Sequence, residues 1–204
     1  MKIYWFKAQA PRRVVALAKH LGIEAEYIWL DVAKGALQAP HYASLNPNLK
    51  APTLVDGELV LWESSAIMAH LCVQAGSDMW PVSNPSEQVE MLKWLGWNEG
   101  HWSPVVGHFY FEYVIKPMFG MGAPNVDKLE AKRGEFEKYA SILEAHMDGR
   151  EFVACNRLTI ADFSLASMAC YWREAHMPLE QFPNVVQWLD GLNKLDAWAD
   201  PWPK

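Results

Sequence analysis

The segment 46–66, NPNLKAPTLVDGELVLWESSA, constrains the fold more than any other part of the chain. It contains two short apolar runs separated by Asp56-Gly57, the dipeptide that a two-residue hairpin turn prefers because both central residues need positive φ. Ser64 follows with a hydroxyl suited to the start of a helix, and Gly76 lies beyond the end of that helix. The segment therefore predicts a β-hairpin that leads directly into a helix.

The residues before this hairpin predict a strand, a helix and a second strand. Short β-rich runs occupy 3–6 and 26–32. Between them, Pro11 is suited to the first turn of a helix, and the apolar positions after it keep helical spacing as far as Gly22. We therefore expect an α/β domain with the order βαβ-ββα.

The remainder of the chain has a different pattern. Residues 77–86 combine serines, an asparagine and two prolines, which is typical of a linker. Beyond them, apolar residues recur at helical spacing as far as the end of the chain. The sequence thus predicts an α/β domain at 1–76, a linker at 77–86 and an all-helical domain at 87–204.

Composition narrows the functional classes. The 204 residues are 51% hydrophobic, which is enough for a sizeable core, and the formal net charge of −6 gives no reason to expect a nucleic-acid partner. No apolar run approaches the roughly 18 residues of a membrane span, so no membrane partner is expected. Three widely spaced cysteines argue against a disulfide framework and favour a reducing compartment, so we expect a cytoplasmic protein.

The charged residues around the hairpin suggest a ligand with two charged ends. Glu63 and Ser64 lie where a strand meets a helix, and there the carboxylate of Glu63 can bind an ammonium group while the helix N-terminus attracts a carboxylate. Lys50, on the other side of Ala51-Pro52, suits a second carboxylate. An amino-acid head, a peptide middle and a carboxylate tail together describe glutathione.

Four motifs in order resemble the cytosolic glutathione S-transferases over essentially the whole chain. They are KIYWF…PRRVVALAKHLGI, LNPNLKAPTLVDGELVLWESSAI, LTIADFSLAS and FPNVVQWLDGL. The resemblance implies a thioredoxin-like first domain and an all-helical second domain. Thr159 and Asp162 in the third motif also have the spacing of a helix capping box.

The resemblance implies a set of glutathione-binding residues, namely Gln38, Lys50, Ala51, Pro52, Glu63 and Ser64. In this interpretation Glu63 and Ser64 hold the γ-glutamyl group. The main chain of Ala51 pairs with the cysteinyl backbone beside a cis proline, and Lys50 meets the glycyl carboxylate. The simpler interpretations are a surface cation at Lys50, a helix-start acid at Glu63 and a trans edge proline.

The position that activates the thiol departs from the family pattern. Family members carry a Tyr, Ser or Cys after the first strand, but residues 6–13, FKAQAPRR, contain none of these. The amide of Gln9 or the backbone N–H of Ala10, helped by the dipole of the following helix, can donate to the sulfur instead. The residues also leave open that Lys7 supplies positive charge, or that the protein binds glutathione without transferring its thiol.

The resemblance places a second, hydrophobic substrate beside an aromatic helix at 94–117. The expected wall residues are Phe6, Trp102, His108 and Phe109. The simpler interpretation of each aromatic residue is packing in the helical core. His101, His108 and Glu112 share a helical face, but no fourth ligand suggests itself, so no metal is expected.

These expectations together predict an enzyme that transfers the thiol of glutathione to a hydrophobic small-molecule electrophile, as in detoxification. A glutathione-dependent lyase, isomerase or peroxidase is a neighbouring hypothesis. A non-catalytic binding or assembly module is the rival hypothesis from a different functional class. The family resemblance also implies a homodimer.

Overall fold

A computed structural model describes residues 1–203 of the protein. The chain forms two compact units, one made of 1–82 with 195–203 and the other of 83–194. The contacts thus group 195–203 with the first unit, and the domain bounds 1–76, 77–86 and 87–204 remain a prediction. Those residues belong to the first unit because Trp198 and Asp200 contact its first helix. No helix among the described residues is long and apolar enough to cross a membrane.

The first unit contains a four-stranded mixed sheet with the order β2-β1-β3-β4. The strands are β1 (Lys2–Trp5), β2 (Glu26–Trp29), β3 (Thr53–Asp56) and β4 (Leu59–Trp62). β1 and β2 are parallel, whereas β3 is antiparallel to both β1 and β4. This sheet confirms the predicted βαβ-ββα order and the thioredoxin-like class.

Three helices accompany the sheet. They are α1 (Gln9–His20), α2 (Pro40–Ala43) and α3 (Ser64–Ala75), and 3₁₀ turns at Val32–Lys34 and Ala36–Gln38 precede α2. α1 packs against α3, and their apolar faces are buried with the central strands. Ile3, Leu17, Leu54 and Ile67 are all fully buried, so the core of this unit lies between the sheet and the two long helices.

The hairpin turn lies one residue later than the sequence indicates. Asp56 pairs with Leu59 as the last rung of the β3–β4 ladder, so the two turn residues are Gly57 and Glu58. Gly57, at φ 59°, takes the left-handed backbone that this turn needs. Asp56 stays in the strand, where its carboxylate lies 2.9 Å from Nε2 of His70 on α3.

The second unit is helical throughout its regular structure. Residues 85–118 form one continuous helical stretch in which π-helical turns at Asn98–Trp102 and Phe111–Ile115 separate three α-helical parts. The helices of this unit are α4 (Pro85–Trp97), α5 (Ser103–Tyr110), α6 (Lys116–Met118), α7 (Val126–Glu130), α8 (Arg133–Met147), α9 (Ile160–Ala169) and α10 (Pro183–Leu192). The last helix, α11 (Asp196–Ala199), belongs to the first unit.

The predicted capping box at the start of α9 is confirmed. The Thr159 side chain accepts from the helix backbone and the Asp162 carboxylate accepts the Thr159 backbone N–H at 2.9 Å. Asp162 is fully buried and also accepts bonds from the Val153 backbone N–H and Trp188 Nε1. Burial raises the pKa of Asp162 to about 6, although these donated bonds act in the opposite direction.

Candidate functional site

The sheet register brings the predicted glutathione-binding segments to one edge of the first unit. Tyr4 pairs with Thr53, and Thr53 pairs with Trp62, so the end of β1, the start of β3 and the end of β4 lie side by side. β2, parallel to β1, ends at the same edge. We call this edge, from which residues 6–9, 50–52 and 63–64 extend, the site edge.

Two helices begin at the site edge. α1 starts at Gln9, a few residues after β1 ends, and α3 starts at Ser64, directly after β4. Each helix has 12 residues, and the N-terminus of a helix carries partial positive charge on its unsatisfied N–H groups. The site edge is therefore suited to an anionic ligand.

A buried hydrogen-bond network fixes the main chain beside Ala51. Nδ2 of Asn46 donates to the Lys50 carbonyl at 2.8 Å and to Oγ1 of Thr53 at 3.1 Å. The Tyr42 hydroxyl donates to the same Lys50 carbonyl at 2.5 Å, so the Thr53 hydroxyl, 2.8 Å away, is the donor in its bond with Tyr42. Burial raises the pKa of Tyr42, which therefore keeps its proton at neutral pH.

Sequence reasoning missed this network. Asn46, Thr53 and Tyr42 are all buried, at 2%, 0% and 0% exposure. The Asn-Pro-Asn run at 46–48 carried the available signal, because an asparagine that bonds the backbone nearby is typical of turns. Its Oδ1 accepts the backbone N–H of Asn48 at 3.0 Å.

The peptide bond between Ala51 and Pro52 is cis, as the sequence interpretation expected. Pro52 is buried, Ala51 is half-buried and Lys50 is exposed. Among residues 1–203 no side chain forms an ion pair with Lys50, so its ammonium group is available to a ligand.

Glu63 and Ser64 form the junction between β4 and α3. Glu63 is exposed and has φ 68° and ψ 115°, a backbone conformation that residues with a Cβ rarely adopt. Such strain persists where the surrounding structure enforces it, and it is concentrated at functional sites. Ser64 is 3% exposed at the first position of α3. The carboxylate of Glu63 has no ion-pair partner in the part of the chain that the structure describes.

The first turn of α1 contains the two candidates for thiol activation. The Gln9 side chain is 8% exposed, which leaves little of its amide surface for a ligand. Ala10 is half-buried at the second helical position, where a backbone N–H has no acceptor within the helix. The geometry therefore favours the backbone of Ala10 over the side chain of Gln9. Lys7 is exposed, and Gln38 is exposed at the end of the second 3₁₀ turn.

Two of the expected substrate-wall residues lie in a core instead. Trp102 is fully buried and donates from Nε1 to the Leu165 carbonyl at 3.1 Å. Phe109 is 4% exposed, and its ring centroid lies 5.0 Å from that of Phe136. Their surfaces are used in packing the helical unit, which favours the simpler interpretation of core packing, and the substrate wall stays a prediction for both. His108 and Phe6 are half-buried and remain predictions.

Thiolate formation by the cysteines and metal binding are the other chemistry to consider. Burial raises the pKa of Cys72 to about 12 and that of Cys155 to about 11, so neither supplies much thiolate at neutral pH. Cys170 is half-buried and donates to the Ser167 carbonyl. Within residues 1–203, His, Cys, Asp and Glu side chains form no group of three that could hold a metal ion.

Two family models match the chain. The model for the N-terminal domain of glutathione S-transferases matches residues 2–72, and that for the C-terminal domain matches residues 103–196. Among curated proteins, glutathione S-transferase 2 of Anopheles gambiae is 34% identical over 92% of this chain and 88% of its own length. The probable glutathione S-transferase GSTF2 of Oryza sativa subsp. japonica is 28% identical over 88% of this chain and 85% of its own length.

Solved structures show the same fold at lower identity. Glutathione transferase F7 from Populus trichocarpa superposes with a TM-score of 0.89 at 19% identity, covering 98% of this chain and 96% of its own. A glutathione S-transferase-I bound with lactoylglutathione gives a TM-score of 0.89 at 21% identity, covering 98% of this chain and 97% of its own. With the two matched domains and the 34% identity to a curated transferase, these likenesses show that the chain belongs to the glutathione S-transferase family.

Proposed function

We propose that the protein binds glutathione at the site edge and transfers its thiol to a hydrophobic electrophile. One observation carries the proposal: the sheet register brings Lys50, Ala51 and the Glu63–Ser64 junction together at the edge where α1 and α3 begin. The structure of a relative with lactoylglutathione supports glutathione as the ligand class.

The charges at this edge match the two ends of glutathione. The carboxylate of Glu63 pairs with the γ-glutamyl ammonium group, and the start of α3, with the Ser64 hydroxyl, accepts the neighbouring carboxylate. Lys50 pairs with the glycyl carboxylate, and Gln38 lies on the segment that follows β2 at the same edge. Between them, the main chain of Ala51 pairs with the cysteinyl backbone beside Pro52.

The start of α1 stabilises the thiolate. A free thiol has a pKa of about 8.5, so a donor and partial positive charge near the sulfur increase the thiolate fraction at neutral pH. The Ala10 N–H supplies the donor and the α1 dipole supplies the charge. The thiol loses its proton to solvent. The sulfur electron pair then forms a bond to the electrophilic carbon, and the group displaced leaves with the electrons of its own bond.

Isothermal titration with glutathione tests binding. Glu63→Gln and Lys50→Met each remove one charge of the site and should weaken binding roughly tenfold, about the value of one partly exposed charged contact. Glu58→Gln, on the exposed hairpin turn, is the control and should bind as the unaltered protein does. Absence of binding by the unaltered protein, or equal binding by all four proteins, would refute the glutathione site.

A thiol titration separates catalysis from carriage. The ultraviolet absorbance of the thiolate, followed against pH with glutathione bound, should give a thiol pKa below that of free glutathione. A thiol pKa equal to the free value, together with no turnover of an electrophile, would leave a glutathione-binding module without transferase activity.

We also propose a homodimer. Val89 and Leu92 are 66% and 55% exposed on one face of α4, and Leu59 and Trp62 on the edge strand β4 are each 42% exposed. Apolar side chains on a helix face and on an edge strand favour burial against a second copy. Analytical ultracentrifugation should show a dimer that Leu92→Glu converts to monomer, whereas Ile142→Glu, at an exposed position of α8, leaves it intact. A monomeric unaltered protein would refute the dimer.

A further inference from the structure

The segment 195–203 covers one side of α1 within the first unit. Trp198, on α11, is fully buried, and α11 packs against α1. The family model for the C-terminal domain ends at residue 196, so Trp198 lies beyond the residues that the two models match.

Trp198 holds the guanidinium group of Arg12. The Arg12 guanidinium carbon lies 4.0 Å from the ring centroid of Trp198, and Nη2 donates to the Trp198 carbonyl at 2.6 Å. Arg12 is 4% exposed. A buried cation needs hydrogen bonds and a favourable electrostatic environment, and the indole face and the carbonyl contribute both. The position of this side chain is thus coupled to the position of α11.

Arg12 is also part of the first turn of α1. Its backbone N–H donates to the Ala8 carbonyl at 2.9 Å, which is the bond that closes this turn. Ala10, the proposed thiol donor, lies inside the turn. A displacement of Arg12 therefore displaces the N–H group that must be aimed at the sulfur.

We propose that Trp198 is a positioning residue for thiol activation: through Arg12 it holds the first turn of α1, and with it the Ala10 N–H, in place. The link to the thiol rests on the proposed function, whereas the ordering of the turn does not. Trp198 itself touches neither glutathione nor the electrophile in this proposal.

The same segment has a second contact with α1 that serves as an internal control. Lys19, in the last turn of α1, donates to the Asp200 carbonyl and lies 4.0 Å from the Asp200 carboxylate. Lys19→Met therefore removes a cation that contacts segment 195–203 at the opposite end of the helix from Ala10. Arg12→Lys keeps the charge in the first turn but lacks the planar guanidinium that stacks on Trp198.

The experiment compares Trp198→Leu, Arg12→Lys and Lys19→Met with the unaltered protein, with circular dichroism as the check of folding. Amide hydrogen exchange at residues 12–15 should be faster by about 30-fold in the first two variants, as expected for the loss of one desolvated cation–π contact. The thiol pKa of bound glutathione should rise by roughly half a unit in the same two, the size of one helix-terminus interaction. Lys19→Met should change neither quantity.

Each outcome decides a separate statement. Unchanged exchange in Trp198→Leu and Arg12→Lys, or an equal change in Lys19→Met, overturns the positioning role. Faster exchange with an unchanged thiol pKa overturns the link between the turn and the thiol. If the unaltered protein binds no glutathione, the proposed function fails alone, and exchange still decides whether Trp198 orders the turn. If Trp198→Leu does not fold, Arg12→Lys breaks the same contact from the other side.

Discussion

Replacing Asn46 by alanine tests how the loop that presents Lys50 and Ala51 is held in place. The substitution removes the two bonds that Nδ2 donates, to the Lys50 carbonyl and to Thr53 Oγ1. It also removes the acceptor for the backbone N–H of Asn48. The Lys50 carbonyl and the Thr53 hydroxyl keep Tyr42 as a partner, so neither is left without a hydrogen bond.

The magnitude follows from the number and burial of these bonds. Each of the two donated bonds is worth about 1 kcal/mol net, and the loss at Asn48 is small because that residue is exposed to water. The free energy of unfolding should therefore fall by about 2 kcal/mol. For a chain of 204 residues this corresponds to a decrease in Tm of roughly 4–8 °C.

Urea unfolding and isothermal titration with glutathione measure the two consequences. Asn48→Ala is the matched control, since it keeps the backbone N–H of residue 48 and removes only the bond from Asn48 Nδ2 to Asn46 Oδ1 at an exposed position, which should cost under about 0.5 kcal/mol. Under the proposed function, Asn46→Ala also weakens glutathione binding because the main chain at Ala51 is no longer fixed. Equal stabilities of the two variants would refute the role of the network. Reduced stability with unchanged glutathione affinity would refute its link to the site.

Three further predictions concern strain and charge. Glu63→Gly should be more stable than Glu63→Ala by about 1 kcal/mol in urea unfolding, because glycine carries no Cβ at φ 68°; equal stabilities would contradict the strain. Burial raises the pKa of Asp162 from 3.8 to about 6, so the folded protein favours the protonated carboxyl group. As the pH rises from 4 to 7, the free energy of unfolding of the unaltered protein should fall by up to about 3 kcal/mol relative to that of Asp162→Asn. The same pH dependence in both proteins would contradict this. Hydrogen bonds from Lys116 and Asn125 lower the pKa of Glu112. Its contribution to the free energy of unfolding is therefore present above pH 4.5 and should be lost below it. In acid unfolding, Glu112→Gln should lack that pH dependence.

Local signals predicted several features of both units well. The hairpin, the start of α3 at Ser64 and the capping box at Thr159 are each encoded within a few neighbouring residues, through turn chemistry, helix capping and apolar period. The exact register of the hairpin was not predicted, because Asp56 suits both a turn and the end of a strand. Its pairing with Leu59 and its contact with His70 on α3 decide in favour of the strand.

Packing between distant segments decided the features that the sequence did not predict. An aromatic residue on a helix suits both a substrate wall and a core, and contacts with other helices, among them Phe136 on α8 and Leu165 on α9, decide that Trp102 is buried. The grouping of 195–203 with the first unit likewise depends on a contact between residues 186 positions apart, Arg12 and Trp198. No periodicity within either segment carries information about such a contact.

The two halves of the proposed glutathione site are therefore specified in different ways. Lys50, Ala51 and Glu63 belong to one hairpin segment, so a single local motif encodes both their chemistry and their geometry. The thiol-activating half has no side-chain hydroxyl or thiol to mark it in the sequence, because a backbone N–H looks the same in every residue except proline. Its function then depends on where the first turn of α1 is held, and in this chain that position depends on Trp198. When the donor is a backbone N–H, the side chains that must be specific are those that hold the backbone in place.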